Sequence, residues 1–138
     1  MQSILNPYLS FRDNAREAME FYHTVFGGKL TLSNFKDNHV SEDPAEDNKI
    51  MHGMLEGVNG ITLMGADTPN HMEYTSGSNI SISLSGDNHA ELSTFFEKLA
   101  NGGMITQPLV QAPWGDSFGM LVDKFGVNWM VNIAAKKS

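Results

Sequence analysis

Apolar and polar residues alternate with a period of two in two places along the chain. Asn6, Tyr8 and Ser10 interleave with Leu5, Leu9 and Phe11, and Asn79, Ser81 and Ser83 interleave with Ile80, Ile82 and Leu84. Successive side chains of an extended chain point to opposite faces, so residues 4–11 and 79–85 are predicted as half-buried strands. The period then lengthens. Ala18, Phe21, Tyr22 and Val25, and later Leu92, Phe95, Phe96 and Leu99, recur at the three- and four-residue spacing of one helix face. Asn14 with Glu17, and Asn88 with Glu91, stand at capping spacing, where the amide oxygen accepts from a free N–H and the carboxylate favours the positive helix end. Gly27-Gly28 and Gly102-Gly103 supply residues that tolerate a left-handed exit. Val58-Asn59-Gly60 carries an Asn-Gly hairpin signal, and Lys124-Phe125-Gly126 occupies the corresponding place.

These elements occur twice in the same order. The first strand, helix and glycine pair recur at an offset that drifts only from 73 to 75 residues, and residues 52–65 lie over residues 118–131 at a constant offset of 66. Gly53/Gly119, Met54/Met120, Leu55/Leu121, Gly60/Gly126 and Met64/Met130 coincide in the second alignment. A duplicated module is therefore predicted, each copy reading strand, helix, then strands, over residues 3–67 and 78–134 of a single domain spanning 1–138. The acidic stretch 33–49 is either a solvated insertion or a lid, residues 67–78 link the copies, and residues 106–117 lead into the second hairpin with Trp114 beside a glycine and an acid.

At 138 residues, 41% hydrophobic and 18% charged, the chain has the composition of a folded domain in water. No apolar run reaches the roughly 18–20 residues that span a bilayer, and the opening MQSILNPYLSF lacks a basic n-region and a small-residue cleavage site, so a cytoplasmic protein with no membrane partner is expected. The absence of cysteine excludes disulfides, thiolate metal sites and cysteine nucleophiles. Sixteen acidic residues against nine basic give a net charge of −7, which disfavours nucleic acid as a partner. No glycine-rich phosphate loop or G-x-S-x-G elbow is present, and no spacing signals a catalytic triad.

Two strand-helix-strand-strand-strand modules in one short chain resemble the vicinal oxygen chelate superfamily, which holds glyoxalase I, extradiol dioxygenases, fosfomycin-modifying enzymes and bleomycin-resistance proteins. Within it the chain is most similar to the PhnB-like (demethylubiquinone methyltransferase-like) family. The matching stretches are Asn6-Pro-Tyr-Leu-Ser-Phe with Ala18-Met-Glu-Phe-Tyr, Leu63-Met-Gly-Ala-Asp, Pro113-Trp-Gly-Asp-Ser-Phe-Gly and Asp123-Lys-Phe-Gly-Val-Asn-Trp-Met. The resemblance implies an α+β fold in which two tandem βαβββ modules form curved mixed sheets around a cup, with helices on the convex side. It also implies a homodimer. Strand periodicity then turns Ile61, Leu63, Val127, Trp129 and Val131 toward the helices and Thr62, Met64, Asn128, Met130 and Asn132 toward the cup. On the strand through His52, it turns Met51 and Leu55 outward and His52, Met54 and Glu56 inward.

Enzymes of the superfamily hold a divalent metal through the first and last strands of each module. Carried onto this chain, the four positions are Asn6, Met64, Asn79 and Met130. Two thioethers and two neutral amides suit neither a hard nor a borderline dication, so neither a metal nor another cofactor is expected. Among the histidines, His23 and His89 sit on helices and His39 and His71 in polar loops, while His52 is either a polar handle in the cup or a hydrogen-bonded sheet residue. Met54, Met64, Met120 and Met130 either line a soft apolar pocket or pack a core. Asp116, beside Trp114, is either a turn residue, a general acid or an anchor for a cation.

Candidate ligand-binding residues are Asn6, Tyr8, His52, Met54, Glu56, Met64, Asn79, Trp114, Asp116 and Met130; no catalytic residue is assigned. The function expected is binding of a small amphipathic or cationic molecule without metal, by sequestration as in bleomycin-resistance relatives. The alternative is a small lyase, dioxygenase or isomerase using His52 or Glu56 as general base, or an atypical divalent metal site.

Overall fold

The computed structural model describes residues 3–38 and 43–135. The chain divides between Thr75 and Ser76 into two compact units, each one copy of the module. In the first, β1 (Tyr8–Phe11), α1 (Ala15–Phe26), β2 (Lys29–Asn34), the single turn α2 (Phe35–Asn38), β3 (Ile50–Glu56) and β4 (Thr62–Asp67) follow in order. The second holds β5 (Ile82–Gly86), α3 (His89–Ala100), β6 (Met104–Gln111), β7 (Ser117–Val122) and β8 (Asn128–Ile133). Each unit folds into a mixed four-stranded sheet, with orders β1-β4-β3-β2 and β5-β8-β7-β6. The first strand of each pairs parallel with the last, and the remaining pairs are antiparallel. This is the α+β, twice-βαβββ architecture that the repeat predicts.

In each unit the helix lies against one sheet face, and small residues let it come close. A Cβ at Gly53 would lie 3.3 Å from Met19 of α1, one at its cross-strand partner Gly65 would lie 3.1 Å from the Met19 sulfur, and one at Gly119 would lie 2.9 Å from Phe96 of α3. Alternate burial follows. Leu55, Leu63, Leu121, Trp129 and Val131 are buried on the helix side, as the period of two predicts. Ile61 and Val127, at the hairpin ends, are only half-buried. The hairpin turns form as expected, with Asn59, Gly60 and Gly126 all at positive φ.

Three expectations need correction. Strands β1 and β5 begin later than residues 4 and 79. Pro7 has no N–H to give a ladder, although its carbonyl accepts from Met64 N at 3.1 Å. Register puts Ile82 opposite Trp129, so partners for residues 79–81 would fall in and just after the turn before β8. Asn6 and Asn79 are therefore not strand residues. Asn14 does not cap α1; the helix's first N–H is met by Asp67 Oδ1 at 3.0 Å, from the end of β4. Asn88 does cap α3, its side chain accepting from Glu91 N at 3.0 Å. Finally, Met51 is not the helix-facing residue of its strand. Ser33 pairs with His52 and Asn34 with Ile50, so Met51 is the extra residue of a β-bulge and Ile50 takes the buried place.

The acidic stretch is also more ordered than a solvated loop where it is described. Phe35, Glu46 and Lys49 are buried, and Phe35 N donates to Lys49 O at 2.8 Å. His39 lies outside the described residues. The Lys49 ammonium meets Asp13 Oδ1 at 2.8 Å, Asn70 Oδ1 at 2.8 Å and Glu46 Oε2 at 3.5 Å. Burial pulls its pKa down, but the hydrogen bonds and charges of Asp13 and Glu46 more than offset this and hold it above the usual lysine value.

Candidate functional site

The face of the first sheet turned from α1 is built by register. Tyr8 of β1 lies opposite Met64 of β4, Met64 opposite Met54 of β3, and Met54 opposite Thr31 of β2. Partners in a ladder share a face, so these four form one row across the sheet. The antiparallel register of β3 and β4, continued by one residue, sets His52 beside Ala66. The Tyr8 ring tilts toward His52, with centroids 5.9 Å apart, planes at 35°, and Tyr8 Oη 3.5 Å from His52 Nδ1. Burial raises the Tyr8 pKa above its ordinary value, so the phenol keeps its proton at neutral pH. Glu56 continues the face, between Thr62 and Lys29, and is exposed.

The second sheet repeats the row. Ser83, Met130, Met120 and Gln107 stand opposite one another across β5, β8, β7 and β6. Each unit thus presents a methionine pair at the middle of the face its helix leaves open, with a tyrosine beside it in the first and a serine in the second. Asn132 and Asn128 share the second face, and both are partly engaged. Asn132 Nδ2 donates to Asp116 Oδ2 at 3.3 Å, and Asn128 Nδ2 to Ile80 O at 3.5 Å.

The remaining sequence candidates fall elsewhere. Asn6 and Asn79 precede their strands, and the first-strand residues level with Met64 and Met130 are Tyr8 and Ser83. Asp116 is held in a structural role, its second oxygen accepting from Ala135 N at 3.0 Å, which fastens the end of β8. Trp114 sits at the tip of the β6–β7 turn, 71% exposed. The structure thus gathers Tyr8, His52, Met54, Met64 and Glu56 on one face, leaves Met130 on the matching face of the second unit, and does not bring Asn6, Asn79, Trp114 or Asp116 onto either row.

A scan against protein families matches residues 3–132 to the 3-demethylubiquinone-9 3-methyltransferase family. The chain belongs to that family. Among solved structures, the protein PA1353 of Pseudomonas aeruginosa is 40% identical to this PhnB-like chain, covers 98% of it over 100% of its own length, and superposes with a TM-score of 0.84. The PhnB protein of Bacillus cereus is 28% identical, covering 96% of this chain and 100% of its own, with a TM-score of 0.72. A glyoxylase/bleomycin resistance protein/dioxygenase domain from Frankia, 12% identical, covers 97% of this chain and 98% of its own with a TM-score of 0.65, which shows a shared fold.

Neither group that this kinship suggests fits the donors present. Of the four positions that the resemblance implies for a metal, Asn6 and Asn79 precede their strands, and the first-strand residues level with Met64 and Met130 are Tyr8 and Ser83. Hydroxyls and thioethers are poor ligands for a divalent cation. No group of three or more His, Asp or Glu with ligating geometry occurs among the described residues. A nucleotide-like methyl donor would call for a glycine-rich strand-to-helix turn, and the β1–α1 turn reads Arg12-Asp13-Asn14.

Sequence reasoning missed several residues that shape the first unit. Arg12 Nη2 donates to Pro69 O at 3.2 Å and to Met72 O, and the guanidinium lies 5.9 Å from the Tyr74 ring centroid, tying the segment after β4 to the end of β1. Asp67 and Lys49 make comparable ties. The partners of these three residues lie between 17 and 62 residues away along the chain, apart from the neighbouring Glu46, so no local spacing could have revealed them.

Proposed function

We propose that this PhnB-like protein binds a small amphipathic or cationic molecule on the methionine-lined open face of its first sheet and releases it chemically unchanged. The observation that carries this reading is the row Tyr8–Met64–Met54 with His52 beside it. Methionine side chains are unbranched and polarisable and adapt to varied apolar bodies, while the Tyr8 phenol and the His52 ring offer polar contacts that fix orientation. The net charge of −7 favours the approach of a cation. A homodimer is part of the proposal. Leu5 is 98% exposed, Ile80 75% and Met104 66%, apolar area that a second copy would remove from water.

The test uses protein carrying 13C-methyl methionine, titrated with rhodamine 6G, a fluorescent amphipathic cation. Shifts at Met54 and Met64, lost in Met64→Ala together with fluorescence-detected affinity, and dye recovered with unchanged mass support the reading. Shifts confined to other methionines, or affinity unchanged in Met64→Ala, overturn it. A chemically altered probe, with alteration abolished by His52→Ala, would establish the enzymatic alternative. Sedimentation across a concentration series reads the dimer directly.

A further inference from the structure

The two modules differ most in the link between their second and third strands, and the difference opens a groove in one of them. In the first unit β2 ends at Asn34 and β3 begins at Ile50, so residues 35–49 intervene; in the second, β6 ends at Gln111 and β7 begins at Ser117, leaving only residues 112–116. The longer link carries Phe35, Glu46 and Lys49 into buried positions. Ala15 and Met19 at the start of α1 are fully buried and Asp67 at the end of β4 is buried with them, and the end of the link reaches this corner, Lys49 pairing with Asp13 and the following Ile50 N donating to Asp67 Oδ2 at 2.9 Å.

The second unit has nothing of its own, among the described residues, to lay over the same place. A groove of about 510 Å³ lies there, its lining including the polar Asp87, His89 and Ser93 and the apolar Leu109, Val110 and Ile133. These are the counterparts of the covered residues. His89 and Ser93 stand 74 residues after Ala15 and Met19, as α3 stands after α1, and Ile133 stands 66 after Asp67, as β8 stands after β4. Asp87 stands 74 after Asp13, whose carboxylate receives the Lys49 ammonium at 2.8 Å. Asp87 has no hydrogen-bond or ion-pair partner among the described residues, and the nearby His89 is linked only to Ser93, Nδ1 to Oγ at 3.3 Å.

We propose that this groove is a second ligand site, separate from the sheet faces, that takes a small organic amine: a primary ammonium on a short apolar body. The ammonium pairs with Asp87 as Lys49 pairs with Asp13, and the apolar body lies on Leu109, Val110 and Ile133 in the place that the first unit fills from its own chain. Ser93 and His89, where the first unit has Met19 and Ala15, leave the wall polar and the volume open. A neutral or anionic body of the same shape lacks the ion pair, and the anion faces Asp87 across the groove.

The experiment follows backbone amide shifts of the full chain, 15N-labelled, on titration with 2-phenylethylammonium, 2-phenylethanol and 3-phenylpropanoate. Shifts concentrated at Asp87, Ser93, Val110 and Ser117 with the ammonium alone are expected. Because the carboxylate is open to water, Asp87→Asn should weaken the ammonium about three- to fivefold. Ser93→Met, which puts the first unit's residue into the groove, should abolish the shifts while leaving the melting temperature near that of the parent. Equal binding of the alcohol, or an Asp87→Asn variant that binds undiminished, overturns the proposal. So do shifts confined to the Tyr8–Met64–Met54 face, which would leave the sheet-face reading standing and the groove empty. Shifts of the groove amides on protein dilution alone, without response to the amine, would assign the groove to a second copy of this chain and likewise refute it.

Discussion

Replacing Asp67 by Asn removes one of the strongest local attachments in the first unit, and its cost can be worked out from the structure. Asp67 is 6% exposed, and its two oxygens accept from Ala15 N at 3.0 Å and Ile50 N at 2.9 Å. One bond serves the start of α1, where the helix dipole favours negative charge, and the other fastens β3 beside its bulge. An amide keeps the shape but has one acceptor, so one N–H of the pair would face an NH2 group. Loss of a hydrogen bond to a charged acceptor is worth about 1.5–3 kcal/mol, and the stranded buried donor adds about 1 kcal/mol or more. A total near 3 kcal/mol lowers the melting temperature by about 10 °C in a chain of this size. The comparison that isolates the reasoning is with the two cap positions. Asn14→Ala should cost little, since that side chain makes no cap bond, whereas Asn88→Ala should cost about 1 kcal/mol through loss of its bond to Glu91 N. Urea unfolding followed by circular dichroism measures all three. An Asp67→Asn variant within about 0.5 kcal/mol of the parent, or an Asn14→Ala effect equal to that of Asn88→Ala, would refute the account; the first threshold lies well below the charged-acceptor range.

Three further perturbations follow from the same geometry. Lys49→Met removes the cation beside the buried Glu46 carboxylate, which keeps its bond from Asn70 N at 3.0 Å, and should cost about 3 kcal/mol at neutral pH. Because the folded lysine titrates above its usual value, the advantage of Lys49 holds in full below about pH 10.4 and declines as pH rises through the folded pKa; a stability difference that instead grows above that pH contradicts it. Gly28→Ala places a Cβ 2.0 Å from Glu56 O at φ +82°, so a loss of about 3 kcal/mol or more is expected in thermal unfolding, and a neutral result would show that the β2 entry is not held as described. Trp129→Phe deletes the bond from Nε1 to Asp123 Oδ2 (2.9 Å) in a buried setting and should cost about 2 kcal/mol in urea unfolding, although Asp123 keeps its bonds from Phe125 N and Val127 N; an unchanged unfolding midpoint would contradict the role assigned to that bond.

Periodicity and repetition carried much of the fold. The period of two along β4 and β8 sorted Leu63, Trp129 and Val131 from Met64 and Met130, and the helices, glycine exits and hairpin turns all lie where local spacing puts them. Each of these depends on neighbours a few residues apart, so the linear order contains them. The methionine pairs and His52 were legible for the same reason: a strand face is a local property. Which first-strand residue stands level with Met64 was not, because Pro7 delays the strand and register is settled by pairing with a segment more than fifty residues away. The pattern around Asn14 looks like a cap, yet Asp67 supplies the bond, since a buried carboxylate arriving from β4 meets the helix start better than the local amide.

The sequence alone thus determined the duplicated βαβββ plan, the helix-facing side of the last strands, and the absence of cysteine chemistry, because those follow from spacing and composition. Only the tertiary structure decided that Tyr8 meets His52, that Met51 is bulged aside for Ile50, and that Lys49 is drawn in to Asp13 and Asn70. Those outcomes rest on strand register and on polar groups that must find partners once buried, and both are properties of segments brought together by folding rather than of their order in the chain.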